Sequence, residues 1–174
     1  SNGTVAWDID NDTQVSNAAL VKVTDISNED IVNDASNATF DVVAVFDITH
    51  PESGDIVYAE APYNITWTKK GLGVANVTLE YSTDQGGNWT NVVAGVVPNS
   101  GTYYWNPVPG TSLSEYSKVR ITDPNNGYGN DTGAGYFDLR GNLSVTRPTG
   151  GESWDIGTLE NINWTRNGEI SSVN

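Results

Sequence analysis

The chain contains no cysteine and no methionine, a single histidine, and eight basic residues against 22 acidic ones. Each scarcity excludes a class of chemistry. Without cysteine there is no disulfide framework, no thiolate metal site and no cysteine nucleophile. A histidine metal cluster or a Ser-His-Asp triad would have to use His50, and no Gly-x-Ser-x-Gly elbow accompanies it. A Gly-rich phosphate loop is also absent. The net charge of −14 and the pI near 4.1 deny the chain the clustered cations that nucleic acid demands. They argue equally against an anionic membrane surface. An acidic balance favours solubility and suits high salt or cation binding, but it names no partner. No run of 18 apolar residues exists, so no membrane insertion is expected of this segment. No basic-plus-apolar leader opens the 174 residues, so any secretion signal is expected to lie outside them or to have been removed.

What is present is repetition. Phe46-Asp47-Ile48-Thr49-His50-Pro51, Gly54-Asp55, Ile65-Thr66-Trp67-Thr68 and Gly71 return 97 positions later. There they read Leu143-Ser144-Val145-Thr146-Arg147-Pro148, Gly151-Glu152, Ile162-Asn163-Trp164-Thr165 and Gly168. Gly3-Thr4, Trp7 and Val21-Lys22-Val23-Thr24-Asp25 recur at an offset of 98 as Gly101-Thr102, Trp105 and Val119-Arg120-Ile121-Thr122-Asp123. Asn33-Asp34 and Phe40-Asp41 recur at 97 as Asn130-Asp131 and Phe137-Asp138. A fixed period sets the architecture. Residues 1–45 are expected to be the C-terminal half of a repeat, 46–141 a complete repeat, and 142–174 the N-terminal third of another. The last is open to completion by a neighbouring subunit, since tail and head together lack only the counterparts of 78–98. The repeat pattern fits a natural subunit and a piece of a longer repeat protein equally.

Helical periodicity is absent, and short alternating runs separated by Gly, Pro, Asn and Asp dominate. Within the complete unit they predict strands near 43–49, 63–69, 74–82, 88–95, 102–106, 117–123 and 134–140. Seven short strands in about 97 residues describe an all-β, immunoglobulin-like or fibronectin-like sandwich. A propeller blade would need about half that period. Trp67 and Trp164 share one repeated position, Trp7 and Trp105 another, and all are expected as core anchors. Gly54 and Gly151 are placed where a turn needs positive φ. Ser82-Thr83-Asp84-Gln85-Gly86-Gly87-Asn88-Trp89 resembles an Asp-box, in which Asp and Gly shape a hairpin turn and Trp89 packs beneath it. One copy, without the blade period, does not imply a sialidase propeller.

Nine of the 20 asparagines head an Asn-x-Ser/Thr triplet: Asn2, Asn11, Asn37, Asn64, Asn76, Asn88, Asn130, Asn142 and Asn163. Chance predicts about four from the Ser and Thr content. Around Asn37, Asn64, Asn76 and Asn142 the triplet alternates with apolar residues, so these asparagines face away from the core. Outward sequons without disulfides point to an extracellular, cell-surface N-glycoprotein, archaeal rather than eukaryotic.

The complete unit resembles Ig-like repeats of archaeal and bacterial surface proteins, which are related to the N-terminal domain of fungal cell-wall glucan-assembly proteins. Pro148, Gly151, Glu152, Trp154, Gly157, Ile162 and Trp164 carry the resemblance. The central copy departs from it, with Asp55, Val57 and Glu60 in three of those slots. The resemblance implies a cell-envelope or extracellular module with no catalytic residues to transfer.

The remaining candidates are weak. Asp8-Ile9-Asp10-Asn11-Asp12 begins like a calcium loop, but its sixth and twelfth positions are Thr13 and Ala19 rather than Gly and Glu. His50 becomes Arg147 in the next copy, which suits an exposed loop residue. Nothing marks a carboxylate pair for glycoside hydrolysis. No cofactor, metal or enzyme activity is therefore expected. The expected function is a structural building block of a glycosylated fibre, sheath or surface layer. Its partners would be copies of itself, polymerised head to tail by strand complementation. The alternative is an adhesin or carbohydrate-binding repeat using Tyr103, Tyr104, Tyr116, Tyr128 and Trp154.

Overall fold

The computed structural model describes residues 3–174, so Asn2 lies outside the described residues. Sixteen short β-strands and no helix make up the regular structure described. The first four are β1 (Ser16–Ala19), β2 (Lys22–Thr24), β3 (Asn33–Ala35) and β4 (Phe40–Val42). Then come β5 (Val45–His50), β6 (Ile56–Tyr58), β7 (Tyr63–Lys70), β8 (Asn76–Ser82) and β9 (Thr90–Asn91). They are followed by β10 (Val97–Pro98), β11 (Thr102–Trp105), β12 (Ser114–Thr122), β13 (Asn130–Thr132) and β14 (Phe137–Arg140). β15 (Asn142–Arg147) and β16 (Asn163–Asn167) form a hairpin near the C-terminal end.

Two sheets enclose the main core, as in a β-sandwich. One runs β11-β7-β5; the other runs β10-β8-β12-β14-β6, with β13 on β12 and β9 on β8. β6 joins β14 in parallel, while the other paired strands of these two sheets are antiparallel. The alternating pattern of Ile65 and Trp67, Val77, Leu79 and Tyr81, and Val119 and Ile121 turns one face of each strand inward. Those side chains meet Phe46, Ile48, Trp105, Phe137 and Leu139 in a single cluster. Asn99, itself buried, accepts the indole N–H of Trp67 at 2.9 Å and donates to the Val74 carbonyl, so the polar edge of the tryptophan is satisfied.

Strand pairing repeats with the sequence. β15 pairs β16 with Val145 opposite Trp164 and a bulge before Arg147; β5 pairs β7 with Ile48 opposite Trp67 and a bulge before His50. β2 pairs β3 through Val23 and Asp34, as β12 pairs β13 through Ile121 and Asp131. β1 meets β4 at Ser16–Val42 and Ala19–Phe40, as β12 meets β14 at Ser114–Leu139 and Ser117–Phe137. The change of offset from 98 to 97 falls in the hairpin loop: eight residues separate β2 from β3 and seven separate β12 from β13. Packing at the boundaries repeats too. A Cβ placed on Gly71 would stand 3.0 Å from Val15, and one on Gly168 3.1 Å from Leu113, the corresponding side chain. Both glycines have positive φ, +96° and +87°, so neither the backbone nor the gap favours a larger residue.

The expected strands differ from those observed in two places. Of 88–95 only Thr90–Asn91 is strand, because the Asp-box turn occupies the residues before it and Gly95, at φ +83°, turns the chain after it. Val92 and Val93 nevertheless reach the core. β6, β10 and β13 were not expected, since two or three residues are too few to show a period.

Candidate functional site

The candidate surfaces are the sequons and two exposed apolar faces, one near each end of the chain. The eight described sequon asparagines are all exposed. Asn64 and Asn76 lie on β7 and β8, Asn142 and Asn163 on β15 and β16. Asn11 and Asn37 lie in the N-terminal segment. At two sites the amide nitrogen that would carry a sugar is already engaged. Asn88 Nδ2 donates to Asp84 Oδ2 at 2.6 Å, and Asn130 Nδ2 donates to the Gly127 carbonyl at 2.8 Å.

Asp84 organises the Asp-box. Its carboxylate accepts the Asn88 backbone N–H at 2.8 Å, the Asn88 side chain and the Ser82 hydroxyl at 2.7 Å. Those donors, led by the Asn88 backbone, hold its pKa down at about 2. Trp89 lies against Gly86 and carries the Arg120 guanidinium 4.3 Å from its ring centre, with Glu80 paired to Arg120 at 2.7 Å. The motif is a braced turn.

His50, Glu52 and Asp55 bring ligand atoms within 4.8 Å of one another. One oxygen of Asp55 faces His50 Nδ1 at 3.1 Å and accepts the Glu52 N–H at 3.0 Å and the Tyr63 hydroxyl at 2.8 Å. Burial raises the Asp55 carboxyl, but these contacts together outweigh it and leave the pKa below its ordinary value. Burial and the carboxylate in turn raise the Tyr63 hydroxyl. At the corresponding position Glu152 accepts the Thr149 N–H at 2.6 Å and the Gly150 N–H at 2.7 Å, and its pKa falls to about 2. A carboxylate closes the same turn in both places, so the cluster is read as turn architecture. Asp10 behaves likewise, capping the Asp12 N–H at 3.0 Å within the stretch that resembles a calcium loop.

The five tryptophans expected in the core divide. Trp67 and Trp105 are 4% and 2% exposed, whereas Trp164 and Trp7, their repeat counterparts, are 46% and 55% exposed. Trp89 is half-buried. This departs from the expectation for Trp7 and Trp164: among the described residues no second sheet packs over the β15–β16 hairpin, and Trp7 lies outside any strand near β4. Trp7 meets only the edge of Phe40, at 6.2 Å between ring centres, among aromatic partners. Sequence alternation marked these residues as inward-facing without saying whether anything lay inward of them.

The aromatics proposed for ligand binding do not share a face. Tyr104 is on β11 in the three-stranded sheet, Tyr116 on β12 in the other, and Tyr128 in the loop before β13. Tyr103 packs against the core. Trp154 lies 6.0 Å from the Arg147 guanidinium. No helix among the described residues is long and apolar enough to cross a membrane.

No protein-family model matches the chain, and no curated protein matches it.

Proposed function

We propose that the chain is a non-enzymatic structural building block of a glycosylated extracellular fibre, sheath or surface layer. In this reading it is built from immunoglobulin-like β-sandwich repeats of about 97 residues, a complete one at 46–141 and parts of others at 1–45 and 142–174. Its partners are copies of itself, joined head to tail, and covalent N-glycans. The kinship with archaeal and bacterial surface repeats belongs to the same proposal.

The observation that carries it is the recurrence of strand registers and boundary packing at the sequence period, bulges included. A repeated module stacked through repeated boundaries suits an extended load-bearing polymer. Sequons held on exposed positions suit a surface that is sugared outside and dry inside.

Glycopeptide mapping of the native protein, combined with imaging of the material it forms, tests the reading. Sugars are expected on Asn64, Asn76, Asn142 and Asn163, with lower occupancy at Asn88 and Asn130 because their amide nitrogens are engaged. Native protein that carries no sugar and forms no polymer would sink it.

A further inference from the structure

The two exposed end faces are complementary halves of one sandwich. The main core supplies the template, because the positions buried between its sheets recur on both faces. Trp7, Val21 and Val23 correspond to Trp105, Val119 and Ile121; Val145, Trp154 and Trp164 correspond to Ile48, Val57 and Trp67. All six are apolar and exposed, while all six counterparts are buried. An exposed apolar set of this kind marks an interaction surface.

We propose that the tail face of one copy docks on the head face of a second copy in the register that β5, β6 and β7 adopt against β12, β13 and β14. The inference rests on the self-assembling reading above and specifies its joint. Residues 153–155 add as a parallel strand to the free edge of β4, pairing Asp41 with Ser153 and Val42 with Trp154, as β14 pairs β6. The Gly151 N–H donates to the Thr39 carbonyl and the Asp41 N–H to the Glu152 carbonyl, as Gly54 donates to Tyr136 and Asp138 to Asp55. The Val145 N–H donates to the Asp34 carboxylate, as Ile48 donates to Asp131 at 2.8 Å. Both partners are prepared for this: among the described residues β4 pairs only β1, and 153–155 pairs with no strand.

Sugars do not obstruct the joint. Asn37, Asn142 and Asn163 correspond to Ala134, Val45 and Thr66, none of which is buried in the main sandwich. Charge opposes it. Residues 1–45 carry eight carboxylates against Lys22, and 142–174 carry four against Arg147 and Arg166. Screening that repulsion makes association stronger as salt rises.

The absence of native cysteine makes a register test clean. Asp41→Cys in one preparation of the full chain is mixed with Ser153→Cys in another under mild oxidation. Neighbouring parallel strands lie about 4.8 Å apart, within disulfide reach. The expected result is a cross-linked heterodimer whose yield rises several-fold between about 0.1 M and about 1 M salt. Asp41→Cys mixed with Thr158→Cys is expected to give little. Thermal melts of each variant establish that it folds. Equal yields from both pairs, or monomers at every salt concentration in sedimentation, would overturn the joint. Glycosylated native filaments whose Asp41→Cys and Ser153→Cys variants do not cross-link would remove this joint and leave the structural reading intact. Cross-linking in protein that carries no sugar would keep the joint and remove only the glycosylated part of that reading.

Discussion

Trp67 and Trp164 stand at the same repeat position with the same neighbour across the hairpin, Ile48 or Val145, yet one is buried and the other is not. The difference isolates what an opposing sheet contributes. Trp67→Ala is expected to destabilise the monomer by about 3–5 kcal/mol, from lost transfer energy and the cavity left behind. Trp164→Ala should cost no more than about 0.5–1 kcal/mol in the same urea titration, as for other surface changes. Equal losses would mean that the tail is covered in solution. Asp84 gives a second residue-scale prediction. Its folded pKa of about 2 lies below its ordinary 3.8, so its contribution is present above about pH 4 and disappears as the pH falls through 2. The melting temperature of the native chain should exceed that of Asp84→Ala at neutral pH, and the gap should close on acidification. A gap independent of pH would refute the charged hydrogen bonding at this turn.

At the scale of the element, the sheets are tied together by a contact that hydrophobic pattern does not reveal. Asp131 on β13 accepts the backbone N–H of Ile48 on β5 at 2.8 Å, bridging the two sheets where their edges meet. Asp131→Ala leaves that part-buried donor without its acceptor and should cost about 1 kcal/mol. Asp131→Asn keeps an oxygen in place and should recover most of the loss in the same denaturation assay. Failure of the asparagine to rescue would shift the explanation from this bond to the loop around it. The long alternating strands β7, β8 and β12 were legible in the sequence because each shows several periods of the two-residue pattern. β6 and β10 were not, since a strand of two or three residues is defined by its neighbour rather than its own composition. The Asp-box was legible as a turn. That it would displace most of the expected strand at 88–95 was not, because Val92 and Val93 keep their core contacts from an irregular segment.

For the whole molecule, order of stability should follow cover. Amides of β7, β8 and β12, which flank the main core, are expected to exchange slowest with deuterium. Those of β2–β3 and β15–β16 should exchange fast in the monomer, and the proposed joint predicts that they become protected when copies associate. Uniform protection along the chain would contradict the division into one closed sandwich and two open faces. The period and the all-β class were readable from residues alone, since identities such as Trp7 and Trp105 recur at matching spacing. The sequons were readable as outward. What could not be read was which copies of a repeated position are covered, because identical residues with identical local pairing differ only in what lies across from them.

The one-residue difference between the β2–β3 and β12–β13 loops leaves the registers on either side unchanged. Lengthening such a loop by a few residues has a small entropic cost, about 0.6 kcal/mol per doubling. The loop after Asp123 is therefore a natural place to insert a short epitope tag, which along the proposed fibre would give electron microscopists a fiducial for polarity and subunit number.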